Sequence, residues 1–123
     1  PIYGNGKNIR EWLYVEDHVK ALMQVLAKGR LGRVYNIGGN NEVRNIDLVN
    51  KICNLLKEKR SSYAYSELIE FVDDRPGHDL RYAIDSSRIM TEIGWQPEVS
   101  LEKGLKKTID WYMSNKDWWT NNK

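Results

Sequence analysis

The sequence has little cysteine and no long apolar run, and each shortage excludes a class of structure. Cys53 is the only cysteine among 123 residues, so no disulfide forms within the chain, and this favours a reducing, cytoplasmic location. No stretch of about 20 apolar residues predicts a membrane span, and no basic leader precedes a short apolar segment as in a signal peptide. We therefore expect a protein without a membrane partner.

Neither sign of charge is in large excess. The chain carries 19 basic and 17 acidic side chains, a net charge of +2, and the two signs are interleaved without a long block of either. Proteins that bind nucleic acid through charge present a strongly basic face, so this balance predicts no nucleic-acid partner. The lysine-rich stretches 57–60 and 103–107 are more typical of solvated helix faces than of phosphate sites.

Hydrophobic spacing predicts one mostly helical α/β domain, residues 1–123, with a few short strands. The first predicted helix, 15–28, has apolar residues at steps of three and four, which mark one buried helix face. They are Val15, Val19, Leu22, Met23 and Leu26. A short buried strand is predicted at 33–38, where the run RVYNIG leads into a second glycine.

Caps and terminators predict three further helices. Asn45 can cap the first of them, Asp85 or Ser86 can begin a short one that ends at Gly94, and Ser100 can cap the last. Short polar side chains suit helix starts because their oxygen accepts a free backbone N–H, and glycine suits the left-handed residue that ends a helix.

The charged loop 73–79, DDRPGHD, is the best candidate for a binding site. It follows a strand predicted at 68–72, and its Pro and Gly keep it out of regular structure. Loops are where a scaffold usually presents its binding groups. The Arg75 guanidinium suits a phosphate, which it can hold by two parallel hydrogen bonds, and His78 can add another. The alternative is that Arg75 pairs with an aspartate of the same loop and only ties it down.

Three other polar residues have more than one interpretation. Arg10 shares one face of an extended segment with Trp12 and Tyr14; a planar cation beside aromatic surface suits a nucleotide diphosphate, or plain packing of Arg on Trp. Asn45 suits a ligand contact, although a helix cap would explain it fully. His18 has no second His or Cys at ligand spacing, so no metal site is predicted.

One catalytic spacing is present by accident. Tyr3 and Lys7 have the separation at which short-chain dehydrogenases place a base and an orienting lysine on a helix. Gly4 and Gly6 lie between them, and each glycine disfavours a helix by about 1 kcal/mol. No Gly-rich dinucleotide fingerprint and no Ser or Cys triad is found elsewhere in the sequence.

Three segments together resemble the dTDP-glucose 4,6-dehydratase family of the extended short-chain dehydrogenase/reductases. They are YGNGKNIREWLYVEDHVKAL, YNIGGNNEVRNIDLV and DDRPGHDLRYAID. The combination of IREWLYVEDH with RPGHDLRYAID is more specific than the helix start or the Tyr-Asn-Ile-Gly strand, which epimerases and decarboxylases share. In that family NAD oxidises C4 of the sugar, water is eliminated across C5 and C6, and the hydride returns to C6.

The resemblance implies a role for four residues of this chain. Arg10 and Arg75 would contact the diphosphate of a dTDP-sugar, and Asn45 and His78 would line the nucleotide-binding wall. The chain would be the C-terminal, substrate-binding part of the protein. The NAD-binding Rossmann half and every catalytic residue would lie outside it, so we expect this chain alone to hold no cofactor and to be inactive.

The same resemblance implies how the chain is completed. Helix 15–28 and strand 33–38 would dock on the N-terminal Rossmann part, and the full-length protein would form a homodimer. Two alternatives stay open: part of another nucleotide-sugar epimerase or decarboxylase of the same scaffold, and a stand-alone interaction module.

Overall fold

The computed structural model describes residues 1–120. Its helices are α1 (Val15–Lys28), α2 (Asn45–Lys59), α3 (Ser87–Ile93), α4 (Leu101–Ser114) and α5 (Lys116–Thr120). Its strands are β1 (Ile2–Tyr3), β2 (Ile9–Glu11), β3 (Glu42–Arg44) and β4 (Phe71–Val72), and a 3₁₀ turn covers Tyr65–Leu68. The predicted mostly helical chain with a few short strands is confirmed. Among the described residues, no helix has both the length and the apolar character needed to cross a bilayer.

The strands form two separate pairs. β1 lies parallel to β4, with Ile2 opposite Phe71, and β2 lies antiparallel to β3, with Arg10 opposite Val43. The strand predicted at 68–72 is shorter than expected and covers only Phe71–Val72. Its predicted first residue, Leu68, belongs to the 3₁₀ turn.

A tight turn separates β1 from β2. Gly4 and Gly6 have φ of 56° and 69° there, a left-handed conformation that glycine adopts at no steric cost. Tyr3 and Lys7 thus lie on either side of a turn and not on one helix face, which confirms that their spacing is accidental.

Residues 33–38 form no strand within residues 1–120, and their predicted pairing with the N-terminal Rossmann part stays a prediction. Residues 33–39 form no ladder with any described strand. Tyr35 and Ile37 pack against the core, and the Asn36 amide donates to the Asp85 carbonyl at 3.2 Å. An apolar run indicates burial, but a strand also needs a neighbour to pair its backbone groups.

Helix α1 forms as predicted, but the face predicted to be buried is exposed. Leu26 is 81% exposed, whereas Asp17 and Ala21 on the opposite side are 0% exposed. The other apolar residues of this outer face are also exposed: Val15, Val19, Leu22 and Met23. The spacing identified the helix correctly. Its outer apolar face is not covered within residues 1–120, and the predicted docking of this helix on the N-terminal Rossmann part stays a prediction.

The core lies on the inner side of α1, where Ala21 packs with Ile89, Ile93 and Trp95. Partly buried residues close this cluster: Leu13, Val25, Tyr35, Ile37 and Met90. Oδ2 of the buried Asp17 accepts the backbone N–H groups of Glu98 and Val99 at 3.1 and 2.8 Å. These two bonds join α1 to the segment before α4.

Most predicted helix termini are confirmed. Ser100 accepts the backbone N–H three residues further on at 3.4 Å, and Gly94 ends α3 with φ of 79°. At the start of α3, Ser86 occupies the capping position without a side-chain bond, while Asp85 accepts the N–H of Ser87 at 2.9 Å.

The predicted cap at Asn45 is wrong. Asn45 is the first residue of α2, Arg44 occupies the capping position, and no side-chain cap bond forms. β3 runs directly into α2, so the Asn45 N–H is bound by the Asn8 carbonyl at 3.0 Å instead. The interpretation of Asn45 as a cap is therefore removed, and its side chain makes no hydrogen bond within residues 1–120.

Candidate functional site

The candidate site forms where the chain after β4 returns beside β2. The Ile9 N–H donates to the Leu80 carbonyl at 2.7 Å, and the Ile9 carbonyl accepts the N–H of Tyr82 at 3.0 Å. Ile9 and Arg81 form a parallel bridge between these bonds. The end of the charged loop thus runs parallel to β2 and comes to lie next to Arg10.

Arg10 is held by this returning segment. Its Nη2 donates to the Asp79 carbonyl at 2.9 Å, and its Nη1 donates to the Ile9 carbonyl at 2.7 Å. The guanidinium carbon lies 5.7 Å from the centroid of the Tyr82 ring. The aromatic neighbour of Arg10 is therefore Tyr82, and not Trp12 as the alternation along the strand suggested.

Asn8 is a residue that sequence reasoning missed. It is only 5% exposed, and its amide donates to the same Asp79 carbonyl at 3.2 Å. Its own carbonyl binds the first N–H of α2, at Asn45. Asn8 therefore connects β2, the start of α2 and the charged loop, and no local pattern marked it because each of its partners is distant in sequence.

Arg75 is exposed, and its guanidinium has no hydrogen bond or ion pair within the described chain. Only its backbone N–H is bound, by Oδ1 of Asp74 at 2.9 Å. The alternative in which Arg75 pairs with an aspartate to tie the loop down is therefore not what the structure has. An exposed guanidinium on a fixed backbone is suited to accept an anionic ligand.

His78 ties the loop together in place of Arg75. Its Nδ1 lies 2.6 Å from Oδ1 of Asp74, and its side chain is 5% exposed. Tyr3 meets the His78 ring edge-on at 6.2 Å. The hydrogen bond from His78, aided by the backbone N–H of Arg75, holds the pKa of Asp74 below its usual value. An ionised Asp74 accepts the proton on Nδ1, so Nε2 is the His78 atom left for a ligand.

The four predicted site residues thus lie on segments that hydrogen-bond to one another. Arg10 and the start of α2, with Asn45, are linked through Asn8 to the loop that carries Arg75 and His78. His18 is exposed on α1, outside this group. Within residues 1–120, no cluster of His, Cys, Asp and Glu could hold a metal ion.

A cavity of about 610 Å³ lies elsewhere, between α2, α4 and the residues after β2. Its walls are mainly apolar and include Leu48, Leu105 and Trp111. None of the four predicted residues lines it. The polar region beside β2, and not this cavity, therefore carries the candidate chemistry.

Comparison with known proteins identifies the family. A model of the family described as GDP-mannose 4,6 dehydratase matches residues 1–108. The chain belongs to the GDP-mannose 4,6-dehydratase family. Within it, the chain is 53% identical to dTDP-glucose 4,6-dehydratase from Escherichia coli, over 97% of this chain and 34% of that protein. The chain spans about a third of the length of the curated relatives it matches, and corresponds to their C-terminal portion.

Solved structures agree with this family membership. A dTDP-glucose 4,6-dehydratase from Bacillus anthracis in complex with NAD is 46% identical with a TM-score of 0.85, covering 100% of this chain and 37% of that one. DesIV, a dTDP-glucose 4,6-dehydratase from Streptomyces venezuelae with NAD bound, is 41% identical with a TM-score of 0.88, covering 100% and 36%. UDP-glucose 4-epimerase from Thermotoga maritima is 31% identical with a TM-score of 0.75, covering 92% and 34%. The resemblance to dTDP-glucose 4,6-dehydratases in the sequence analysis is confirmed.

Proposed function

We propose that this chain supplies the nucleotide-sugar contacts of a dTDP-glucose 4,6-dehydratase, which converts dTDP-glucose to dTDP-4-keto-6-deoxyglucose and water. The observation that carries the proposal is the state of Arg75. Its guanidinium is exposed and unpaired in the described chain, while the neighbouring Asp74 is already bound to His78. The identity of more than half to a dehydratase of that substrate supports the same reaction.

In this proposal the two arginines divide the binding of the diphosphate. Arg75 is free to place two parallel N–H groups on one phosphate, and Arg10, fixed on Asp79 and Tyr82, presents a preoriented positive charge to the other. Nε2 of His78 and the unpaired Asn45 amide then bind neutral groups of the nucleotide. Each of these roles is to bind and orient, so we assign no catalytic residue to this chain.

The described residues do not fit an NAD site, and we assign NAD to the rest of the protein. The adjacent glycines Gly38 and Gly39 lie against β2: a Cβ on Gly39 would be 2.3 Å from the Trp12 carbonyl oxygen. They are followed by β3, whereas a dinucleotide loop opens a helix whose N-terminus holds the pyrophosphate. These glycines serve close packing of the backbone.

The exposed apolar face of α1 supports a docking role. We propose that this face and residues 33–38 pack on the NAD-binding Rossmann part of the same protein. Leu22, Met23 and Leu26 form a contiguous strip of the outer face, and residues 33–38 have an apolar strand pattern without a described strand beside them. We further propose that the full-length protein is a cytoplasmic homodimer.

The test is turnover by the full-length protein supplied with dTDP-glucose. The expected product is the 4-keto-6-deoxy sugar nucleotide, identified by mass and by the carbonyl signal in NMR. An epimerised dTDP-sugar of unchanged mass would instead favour the epimerase alternative. Binding of another protein without any sugar turnover would favour the interaction module.

A further inference from the structure

Glu11, the last residue of β2, accepts backbone hydrogen bonds from two distant segments. Oε1 accepts the N–H of Asn40 at 2.7 Å, and Oε2 accepts the N–H of Ile84 at 2.9 Å. Within residues 1–120 the carboxylate has no ion-pair partner, so both oxygens serve the backbone. A carboxylate bound to two N–H groups forms stronger bonds than a neutral acceptor would.

The bond to Ile84 extends the contact between β2 and the returning segment. Ile9 pairs with that segment through its own backbone, at Leu80 and Tyr82. Two residues further along each strand, the Glu11 side chain takes the Ile84 N–H in place of a backbone carbonyl. Residues 80–84 are therefore attached to β2 at both ends.

Arg10 depends on this attachment. It stands between Ile9 and Glu11, and successive side chains of a strand point to opposite faces, so Glu11 does not contact the guanidinium. The groups that orient Arg10 are the Asp79 carbonyl and the Tyr82 ring. Both belong to the segment that Ile9 and Glu11 hold, so Glu11 acts on Arg10 through that segment.

The turn before β3 is shaped around the same carboxylate. A Cβ on Gly38 would lie 2.6 Å from Oε1 of Glu11, so a larger residue there would require the carboxylate to shift. Asn40 has φ of 54°, a left-handed conformation in which its N–H meets Oε1. Gly38 and Asn40 thus let the turn approach the Glu11 carboxylate closely.

We propose that Glu11 is a positioning residue for diphosphate binding. It holds residues 80–84 on β2, so that Asp79 and Tyr82 keep the Arg10 guanidinium aimed at the ligand. This inference rests on the proposed function, because it requires Arg10 to bind the diphosphate.

The test is a double-mutant cycle in the full-length protein, with dTDP as the titrated ligand in calorimetry. Glu11→Gln keeps the size of the side chain but turns an NH₂ group towards one of the two backbone N–H groups. We expect dTDP to bind roughly threefold to tenfold more weakly, the range of one ordinary hydrogen bond, because Glu11 acts on Arg10 only through the segment that it holds. In the Arg10→Ala background the same substitution should leave the remaining affinity unchanged.

Glu92→Gln is the matched control. Glu92 also accepts two hydrogen bonds, from Arg33 at 3.1 Å and from Tyr35 at 3.0 Å, but these partners lie outside the β2 region. Its substitution removes a comparable carboxylate and should leave dTDP affinity at the wild-type value. If Glu11→Gln does not fold, Glu11→Asp, whose shorter side chain cannot span both N–H groups, takes its place in the cycle.

Three results would overturn the proposal. Wild-type affinity in Glu11→Gln would show that Arg10 keeps its position without the carboxylate. Equal losses with and without Arg10 would show that Glu11 only stabilises the fold. Wild-type affinity in Arg10→Ala would remove both this inference and the diphosphate role of Arg10, whereas either of the first two results leaves that role intact.

Discussion

The outer face of α1 and the polar region beside β2 differ in whether this chain supplies the partners of their side chains. On α1, Leu22 and Leu26 are exposed, and no described residue covers that face. Beside β2, Asn8, Arg10 and Glu11 all have their hydrogen-bond partners within the chain. Apolar contact is non-directional, so a separate surface can provide it. A polar group needs a hydrogen-bond partner at a fixed distance and angle, and beside β2 the chain provides nearly all of these partners.

The largest expected effect comes from a charge on the outer face of α1. In the full-length protein, Leu22→Asp should lower the free energy of unfolding by at least about 3 kcal/mol, because a buried leucine is lost and an unpaired carboxylate is buried. In the 123-residue chain alone the same change should cost at most about 0.5 kcal/mol, as for an exposed site. Denaturant unfolding of both forms measures the difference. Equal costs would mean that nothing covers this face in the full-length protein.

The next effect concerns the exposed guanidinium beside β2. Arg75→Lys and Arg75→Ala should both weaken dTDP binding in the full-length protein by roughly ten- to a hundredfold, because lysine cannot reproduce two parallel hydrogen bonds. The melting temperature should change little, since the Arg75 side chain makes no hydrogen bond or close ion pair within the described residues and interacts with Asp74 only through its charge. Arg60→Ala, at another exposed arginine, is the control for loss of a positive charge. Reduced stability with wild-type affinity would restore the interpretation of Arg75 as a loop tie.

The smallest effect concerns the pair that fixes the loop. The pKa of Asp74 in the folded protein is below the ordinary 3.8 because His78 donates a hydrogen bond to it. The contribution of Asp74 to stability is therefore complete above pH 3.8 and is lost as the pH falls through the lowered pKa. The difference in melting temperature between wild type and Asp74→Asn should therefore be constant near neutral pH and vanish in acid. Thermal melts from pH 7 to below pH 3.8 measure it. Asp73→Asn, next to it, is the control for loss of a neighbouring carboxylate. An effect of Asp74→Asn that persists in acid would contradict the assignment.

Features that depend on neighbouring residues could be predicted from the sequence, and features that depend on distant residues could not. Helix α1 and its end, the cap at Ser100 and the terminator at Gly94 follow from a few neighbouring residues. The cap at Asn45 failed because the preceding strand enters the helix directly. Residues 33–38 form no strand within residues 1–120, because a ladder needs a neighbouring strand and the one predicted for them belongs to the Rossmann part.

The candidate site shows the same limit. Arg10 and Arg75 were predicted as site residues because the side-chain chemistry and a family resemblance pointed to them, and their ligand contacts stay a prediction. The contacts of Tyr82, Asn8 and Glu11 in this region were missed because they depend on segments that are distant along the chain. Their signal is a contact between distant residues, and a single sequence does not show contacts.

The two hydrogen bonds of Glu11 also bear on the order in which the protein folds. They close loops of 29 and 73 residues, and ordering the chain between distant partners costs entropy that only the finished contact returns. Helices need only local contacts and form within about a microsecond. We expect α1, α2 and α4 to be present before the segment 80–84 settles on β2. The region proposed to meet the ligand is then completed only after these helices have formed.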